Sequence, residues 1–250
     1  MKLYHYTSIK TLASILESQA IKFNRLDQVD DMEECGCTSG PTNTKLGKYA
    51  FVSCWTKDPI ENIALWKMYT DLKGVRIGLD SDMFITYDVG TVHRSYFCER
   101  QHIIKDYVIS SYLNSVSPID INYVEDIREC AINLIESSEK GIWIKTDKIG
   151  TFKSKQWEFQ KESRFIIIAQ PAGYDMALLP FPNIKDLLNN KEISDNEFFI
   201  PLKPNVFQDA EIILAPKTDH SDMIIVKSLI STYCKNYKGI IKSSNFKIRK

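Results

Sequence analysis

The sequence predicts an α+β fold, and three observations carry that prediction. Strand-like and helix-like segments follow one another without the strict alternation a doubly wound sheet requires. The chain has 250 residues, 44% hydrophobic and 26% charged, an ordinary composition for a globular protein able to bury its own core. No internal repeat or low-complexity linker divides it, so residues 1–250 read as a single domain with a basic C-terminal segment over 234–250.

The first element, Lys2 to Tyr6, is a short strand. Thr7 or Ser8 caps the helix after it, where a side-chain oxygen satisfies a free backbone N–H. Ile9, Leu12, Ile15 and Leu16 recur at helical spacing and give that helix one apolar face. Ile21-Lys22-Phe23 is a second short strand. The polar, turn-rich stretch NRLDQVDDMEECGCTSGPTNTKLG is a long loop, and long loops in compact domains are often functional. Tyr49 to Thr56 is a strand. Asp58 and Pro59 read as the cap and first residue of a helix carrying Ile60, Ile63, Trp66 and Tyr69. Gly74 to Asp80 alternates Val75, Ile77 and Leu79 as a strand. Residues 81–105 read as further strands, and 106–140 as mainly helical, with Ile127, Ala131, Leu134 and Ile135 on one face. Arg164 to Gln170 is a buried strand, Pro171 to Asn196 a loop with a short helix, and EFFIPL and AEIILAP are two more strands. From Cys234 the chain has five lysines and Arg249 but no acid; this reads as a solvated terminal strand, with a phosphate-binding tail as the functional alternative.

Several function classes lose support at once. Lys plus Arg equals Asp plus Glu at 32 each, so composition gives no case for nucleic acid as a general partner. No apolar run reaches the roughly 20 residues of a membrane helix, and the N-terminus lacks the pattern of a signal peptide. Six scattered cysteines without an export signal read as free thiols, and the expected location is cytoplasmic, away from membranes.

Five stretches could carry chemistry. Cys35 and Cys37 beside Asp30, Asp31, Glu33 and Glu34 form a C-x-C loop without the second cluster a zinc site needs, so no metal is expected there; Asp31 and Glu34 would order the loop or a ligand. Any cysteine could meet His5, His93 or His102 in space, but no local signature supports a Cys-His nucleophile, and Cys54 reads as packed in a strand. In FKSKQWEFQKESRF, Glu158, Gln160, Glu162 and Arg164 share one face if the chain is extended, with Lys153 and Trp157 nearby. A carboxylate beside a cation at a strand mouth can anchor a sugar hydroxyl, and a surface Glu162–Arg164 ion pair is the plainer reading. Trp66 and Tyr69 share a helical face, a spacing commoner in cores than in ligand platforms. In the opening strand Tyr4 and Tyr6 face one side and His5 the other.

In order, LYHYTSIKTLASILESQAIKF, VDDMEE, FVSCWT, LWKMYTDLKGVRIGLD, KSKQWEFQKESRFIII and AEIILAP resemble the bacterial family known as domain of unknown function 2971, from Leu3 to about Pro216. The sequence departs from the family pattern at Asp30-Asp31-Met32, where Asn-Asp-Pro is usual, and at Gln160, where a glutamate is common. More distantly, the layout is similar to ADP-ribosyltransferase-like proteins. That likeness implies a split, mostly antiparallel sheet with flanking helices and a cleft for NAD. It implies His5 on the ribose, Ser53 or Tyr69 lining the nicotinamide pocket, and Glu162 as the catalytic acid residue. Tyr4, Tyr6 and Trp66 would complete the wall, and Lys153 and Arg164 would pair with pyrophosphate or fix Glu162. The implied function is a bacterial NAD-dependent ADP-ribosyltransferase or NAD glycohydrolase, with a protein, nucleic acid or water as acceptor and a role in defence or stress. Two alternatives stand beside it: a non-enzymatic ligand- or partner-binding module, and a metal-dependent nuclease or hydrolase built on the acidic loop.

Overall fold

The computed structural model describes residues 1–36, 38–40, 42–89, 94–98, 103–104, 106–109, 116–139, 141–174 and 180–249; for residues 35, 36, 103, 104, 174 and 180 only the backbone is described. The chain begins with β1 (Lys2–Thr7), α1 (Ile9–Ser18) and β2 (Ala20–Arg25). Ser8 caps α1 by accepting from the Thr11 amide, and Leu12, Ile15 and Leu16 form its buried stripe. The long loop contains a short helix, α2 (Met32–Gly36), between 3₁₀ turns at Leu26–Gln28 and Leu46–Tyr49, before β3 (Ala50–Thr56). Next come α3 (Ile63–Thr70) and β4 (Val75–Asp80). α3 starts later than Asp58-Pro59 suggests. Asn62 is the cap, accepting from the Ala64 and Leu65 amides, while Asp58 pairs with Lys161.

Residues 81–109 contribute short strands: β5 (Tyr87–Asp88), β6 (Arg94–Ser95), β7 (Ile103–Ile104) and β8 (Tyr107–Ile109). The expected long helix over 106–140 is absent among the described residues. In its place lie β9 (Ile119–Asp120), β10 (Asn122–Val124), the short α4 (Ile127–Ile132), and the hairpin β11 (Ile135–Ser138) and β12 (Gly141–Ile144). Leu134 and Ile135 are buried in the main core, Ile135 as the first residue of the hairpin, rather than on a continued helical face. β13 (Phe152–Ser154) leads into a 3₁₀ turn over Lys155–Gln160 and then the long β14 (Glu162–Tyr174). Glu158 and Gln160 are therefore not on an extended strand with Glu162. β15 (Pro180–Pro182), α5 (Ile184–Leu188), β16 (Glu197–Pro201), β17 (Glu211–Leu214), α6 (His220–Tyr233) and β18 (Ile240–Ser243) complete the chain. β18 lies parallel to β17, and Lys242 pairs with Glu211 at 3.2 Å, so the basic terminus begins as a sheet edge; Lys250 is outside the described residues.

Most pairings are antiparallel, and the large sheet runs β18-β17-β4-β1-β3-β14-β8-β7, with β2 and β16 branching from β3. The branch point positions the site. One edge of β3 pairs with β14 over seven residues, from Glu162↔Thr56 to Ile168↔Ala50. The other edge is shared. β1 meets it only at Tyr4↔Thr56, and β2 only at Asn24↔Val52 and Arg25↔Phe51. Ser53, Cys54 and Trp55 have no registered strand partner on that side among the described residues, and the sheet opens there into two wings. α1 links the wings.

One face of the sheet carries the main core, including Leu3, Trp55, Ile77 and Phe165 with Leu12 and Leu16 of α1. The opposite face holds a smaller cluster under α3, with Tyr6, Leu65, Trp66 and Ile213. Gly78 has to be small because a Cβ there would lie 2.9 Å from the Tyr4 ring. No helix among the described residues is long and apolar enough to cross a membrane.

Candidate functional site

The gap in the β3 edge is a cleft. About 720 Å³ of space lies between β1, α1, β2 and β3, with Lys10, Ser14 and Lys22 toward its outer end and Lys153, Glu162 and Arg164 at its floor. A small cavity of about 60 Å³ continues inward toward Tyr4, Leu65 and Gln160. Five residues line both spaces: His5, Tyr6, Cys54, Tyr69 and Glu162. Strand alternation alone would separate two of them. The register sets Tyr4, Thr56 and Glu162 on one face, and His5 with Trp55 on the other. They meet because the gap passes through the sheet. His5 spans it, its Nδ1 lying 2.9 Å from the Cys54 carbonyl and its ring 5.0 Å from Trp55.

That contact settles the tautomer. A carbonyl only accepts, so Nδ1 carries the hydrogen and Nε2 is left as an acceptor. Burial pushes the His5 imidazole below its ordinary value, against the opposing pull of the same hydrogen bond, so the ring is neutral at pH 7. Nε2 is therefore the ring atom able to accept a hydrogen bond from a hydroxyl.

The floor is a closed charge cluster. Arg164 is fully buried. Its Nε donates to Glu162 Oε1 and its Nη1 to Glu34 Oε1. Nη1 also donates to the Gly150 carbonyl at 3.0 Å, and Nη2 donates to Glu34 at 2.9 Å and Glu162 at 3.3 Å. Gly150 takes up a left-handed φ of 75° as it presents that carbonyl. A guanidinium has five N–H donors, and these contacts use all of them. Arg164 is thus the support of Glu162 and keeps no donor for a pyrophosphate. The plainer expectation of a surface Glu162–Arg164 pair is corrected by the same geometry, since both side chains are buried.

Lys153, buried on β13, donates to Glu162 at 3.1 Å and to Gln160 at 2.7 Å, and lies 4.8 Å from the Trp157 ring centre. Burial pushes the Glu162 carboxyl up, but Arg164 and Lys153 outweigh it and hold it at about 2. Glu162 is therefore an anion at any physiological pH and does not donate a proton. Glu34, on α2, goes the other way: burial raises its carboxyl despite Arg164. Burial and the neighbouring Glu162 also push the Cys54 thiol up, and it donates to Glu162. Cys54 is a packed thiol, not an activated nucleophile.

Lys153 also dictates the orientation of its neighbour. An ammonium only donates, so Gln160 must turn its carbonyl toward Lys153 and its NH₂ toward Tyr69, whose hydroxyl it meets at 2.9 Å. The Tyr69 oxygen accepts there, which frees its own O–H to donate elsewhere. On the opposite side, Tyr123 accepts from the Glu162 amide at 2.7 Å.

His5, Ser53, Tyr69, Glu162, Lys153, Arg164 and Tyr6 all border the cleft. Ser53 accepts from the Trp55 indole at 2.9 Å. Tyr4 reaches only the inner cavity, stacked against Arg76. Trp66 reaches neither space: it is fully buried, edge-on to Tyr6 at 4.8 Å, and donates to Glu61. Of the acidic loop, Asp30 lines the cleft mouth, Asp31 caps α2, and Glu34 enters the floor. Among the described residues no three His, Cys, Asp or Glu side chains gather as metal ligands. Cys37, His93, His102 and the Cys35 side chain lie outside the described residues. Sequence reasoning missed the site roles of Gln160 and Tyr123; the position of Gln160 two residues before Glu162 was the available signal for the first.

The geometry assembles an acceptor at His5, a donor at Tyr69 and a fixed anion at Glu162 around one opening. Comparison of the chain with family models, curated proteins and solved structures gives no match.

Proposed function

We propose that this protein consumes NAD, transferring its ADP-ribose to an acceptor or to water, in a cleft of the ADP-ribosyltransferase type. The observation that carries the reading is the meeting of His5 of β1, Ser53 of β3, Tyr69 of α3 and Glu162 of β14 on one opening in a branched sheet. The cleft volume, about 720 Å³, lies in the range of cofactor sites, roughly 300–1,000 Å³.

Breaking the nicotinamide–ribose bond sends the electron pair to the leaving nicotinamide and leaves positive charge on the ribose. A carboxylate locked in its ionised form stabilises that charge without reorganising. His5 accepts from a ribose hydroxyl, Tyr69 donates to a nicotinamide or ribose oxygen, and Lys10 and Lys22 lie at the outer end, where the diphosphate would extend. The acceptor oxygen or nitrogen then bonds to the ribose carbon and loses its proton to solvent. Water as acceptor gives hydrolysis; a protein or nucleic-acid nucleophile gives ADP-ribosylation.

The test is nicotinamide release from NAD. Glu162→Gln should slow it by at least about 10²-fold, the scale of one lost electrostatic contact in an active site. Full turnover by a folded variant would sink the assignment. A second reading, a nucleotide-binding module without turnover, draws on Gln160 standing where a second carboxylate would serve. Calorimetric binding of NAD without nicotinamide release would favour it.

A further inference from the structure

We propose that Glu34 is the positioning residue of this cleft: through Arg164 it sets where the Glu162 carboxylate points. The two glutamates are held by one guanidinium from opposite ends. Glu34 takes one N–H from Nη1 and one from Nη2, and Gly150 takes the other Nη1 hydrogen. With those three contacts made, the guanidinium cannot turn about its Cδ–Nε bond. Its remaining N–H groups, on Nε and Nη2, are left aimed at the two oxygens of Glu162. Among the described residues the Glu34 side chain hydrogen-bonds to the cleft lining only through Arg164, while Lys153 and Glu162 feel its charge.

The segment that delivers Glu34 is itself tied to the cleft. Asp31 accepts from the Glu33 amide at 3.0 Å and fixes the start of α2, while Gln28, Val29 and Asp30 just before it form part of the cleft wall. One stretch of chain thus touches the ligand space with its first residues and braces the floor with its last. The catalytic meaning of this support rests on the NAD reading; the support itself does not.

A bare charge effect and a positioning effect predict different outcomes. Glu162 is faced by Arg164, Lys153, Cys54, Tyr69, Tyr123 and Glu34. If Glu34 acted only as a nearby charge, Glu34→Gln would leave Glu162 where it is, because burial keeps Glu34 protonated in the acid range where Glu162 titrates. If it positions Arg164, the freed guanidinium turns away and Glu162 becomes harder to ionise. Carbon-13 NMR titration of the Glu162 carboxyl, assigned by its loss in Glu162→Gln, reads this directly in the ligand-free full chain. In Glu34→Gln the proton affinity of Glu162 should rise about tenfold or more, one pKa unit. Nicotinamide release should lose kcat with KM held within about twofold. Should Glu34→Gln not fold, Glu34→Asp keeps the charge with one methylene less reach, and Glu162 should again become harder to ionise. An unmoved or lowered Glu162 value in the folded variant overturns the proposal. A wild-type protein that releases no nicotinamide overturns the NAD reading alone, because the titration still reports on Glu34.

Discussion

Arg164 and Arg76 are both almost wholly buried, and they are held in opposite ways. Arg164 sits between two carboxylates with every N–H used. Arg76, on β4, lies 4.2 Å from the Tyr4 ring centre and gives both Nη groups to the Pro59 carbonyl at 3.0 Å. Its Nε has no partner among the described residues, and its ion pair with Glu211 is long, at 4.0 Å. One guanidinium is an electrostatic fulcrum; the other is a flat packing piece that pins a loop. A buried charge paired in a network leaves ions stranded when it is removed, whereas a stacked one mainly leaves a carbonyl and a space.

The largest effect should come from breaking that contrast. Arg164→Met strands Glu34 and Glu162 together, at a cost of about 3–5 kcal/mol. Arg76→Met keeps the stacked volume and should cost about 1–2 kcal/mol. Urea melts of the two variants measure the difference, and equal losses would show that the Arg164 cluster has no special weight.

Acid should weaken the Arg164 cluster. Glu162 titrates at about 2 in the folded protein, below its ordinary 4.5. The unfolded chain therefore takes up that proton first, so this stabilisation is complete above the ordinary value and is lost as pH falls toward 2. Glu34, raised by burial, works in the opposite sense and in a different window: its burial penalty is relieved as pH falls to its ordinary value, above the range where the Glu162 contribution is lost. The stability gap between wild type and Glu162→Gln should shrink from about pH 5 to about pH 3. A gap that stays level in urea melts across that window would mean that Glu162 gains nothing from its cations.

The smallest effect belongs at the outer end of the network. Tyr69→Phe removes the acceptor for the Gln160 amide at a partly exposed position and should cost about 0.5–1.5 kcal/mol. A larger loss of thermal stability would move Tyr69 from the cleft lining into the framework.

The elements around the site are legible in sequence where periodicity is strong. The apolar stripe of α1 and the alternation of β4 place those elements correctly, and of the two expected caps, Thr7 and Ser8, Ser8 takes the role. The failures have physical causes. Asp58-Pro59 has the chemistry of a helix start, and Asp58 does accept from the Ile60 amide while its other oxygen takes Lys161, but the helix begins only after Asn62, which does the capping. The apolar residues from Ile127 to Ile135 fit a helix until a hairpin claims the last of them. α6 is not among the sequence expectations, although Asp219 and Asp222 form a capping box ahead of buried Val226 and Ile230. At the site, His5, Tyr69 and Glu162 are visible as motif residues. Arg164 and Lys153 are visible beside Glu162, with fixing it among their expected roles. Their other partners, Glu34, Gly150 and Gln160, are not, because only the tertiary fold supplies them.

The distances along the chain have a kinetic consequence. Glu34 and Arg164 are 130 residues apart, Tyr69 and Gln160 are 91 apart, and His5 and Cys54 are 49 apart. Contacts between such remote segments close large loops and form slowly. A refolding chain can regain its local helices and hairpins well before the cleft exists. The assembled cleft is then late to return, and a partially misassembled molecule lacks it first.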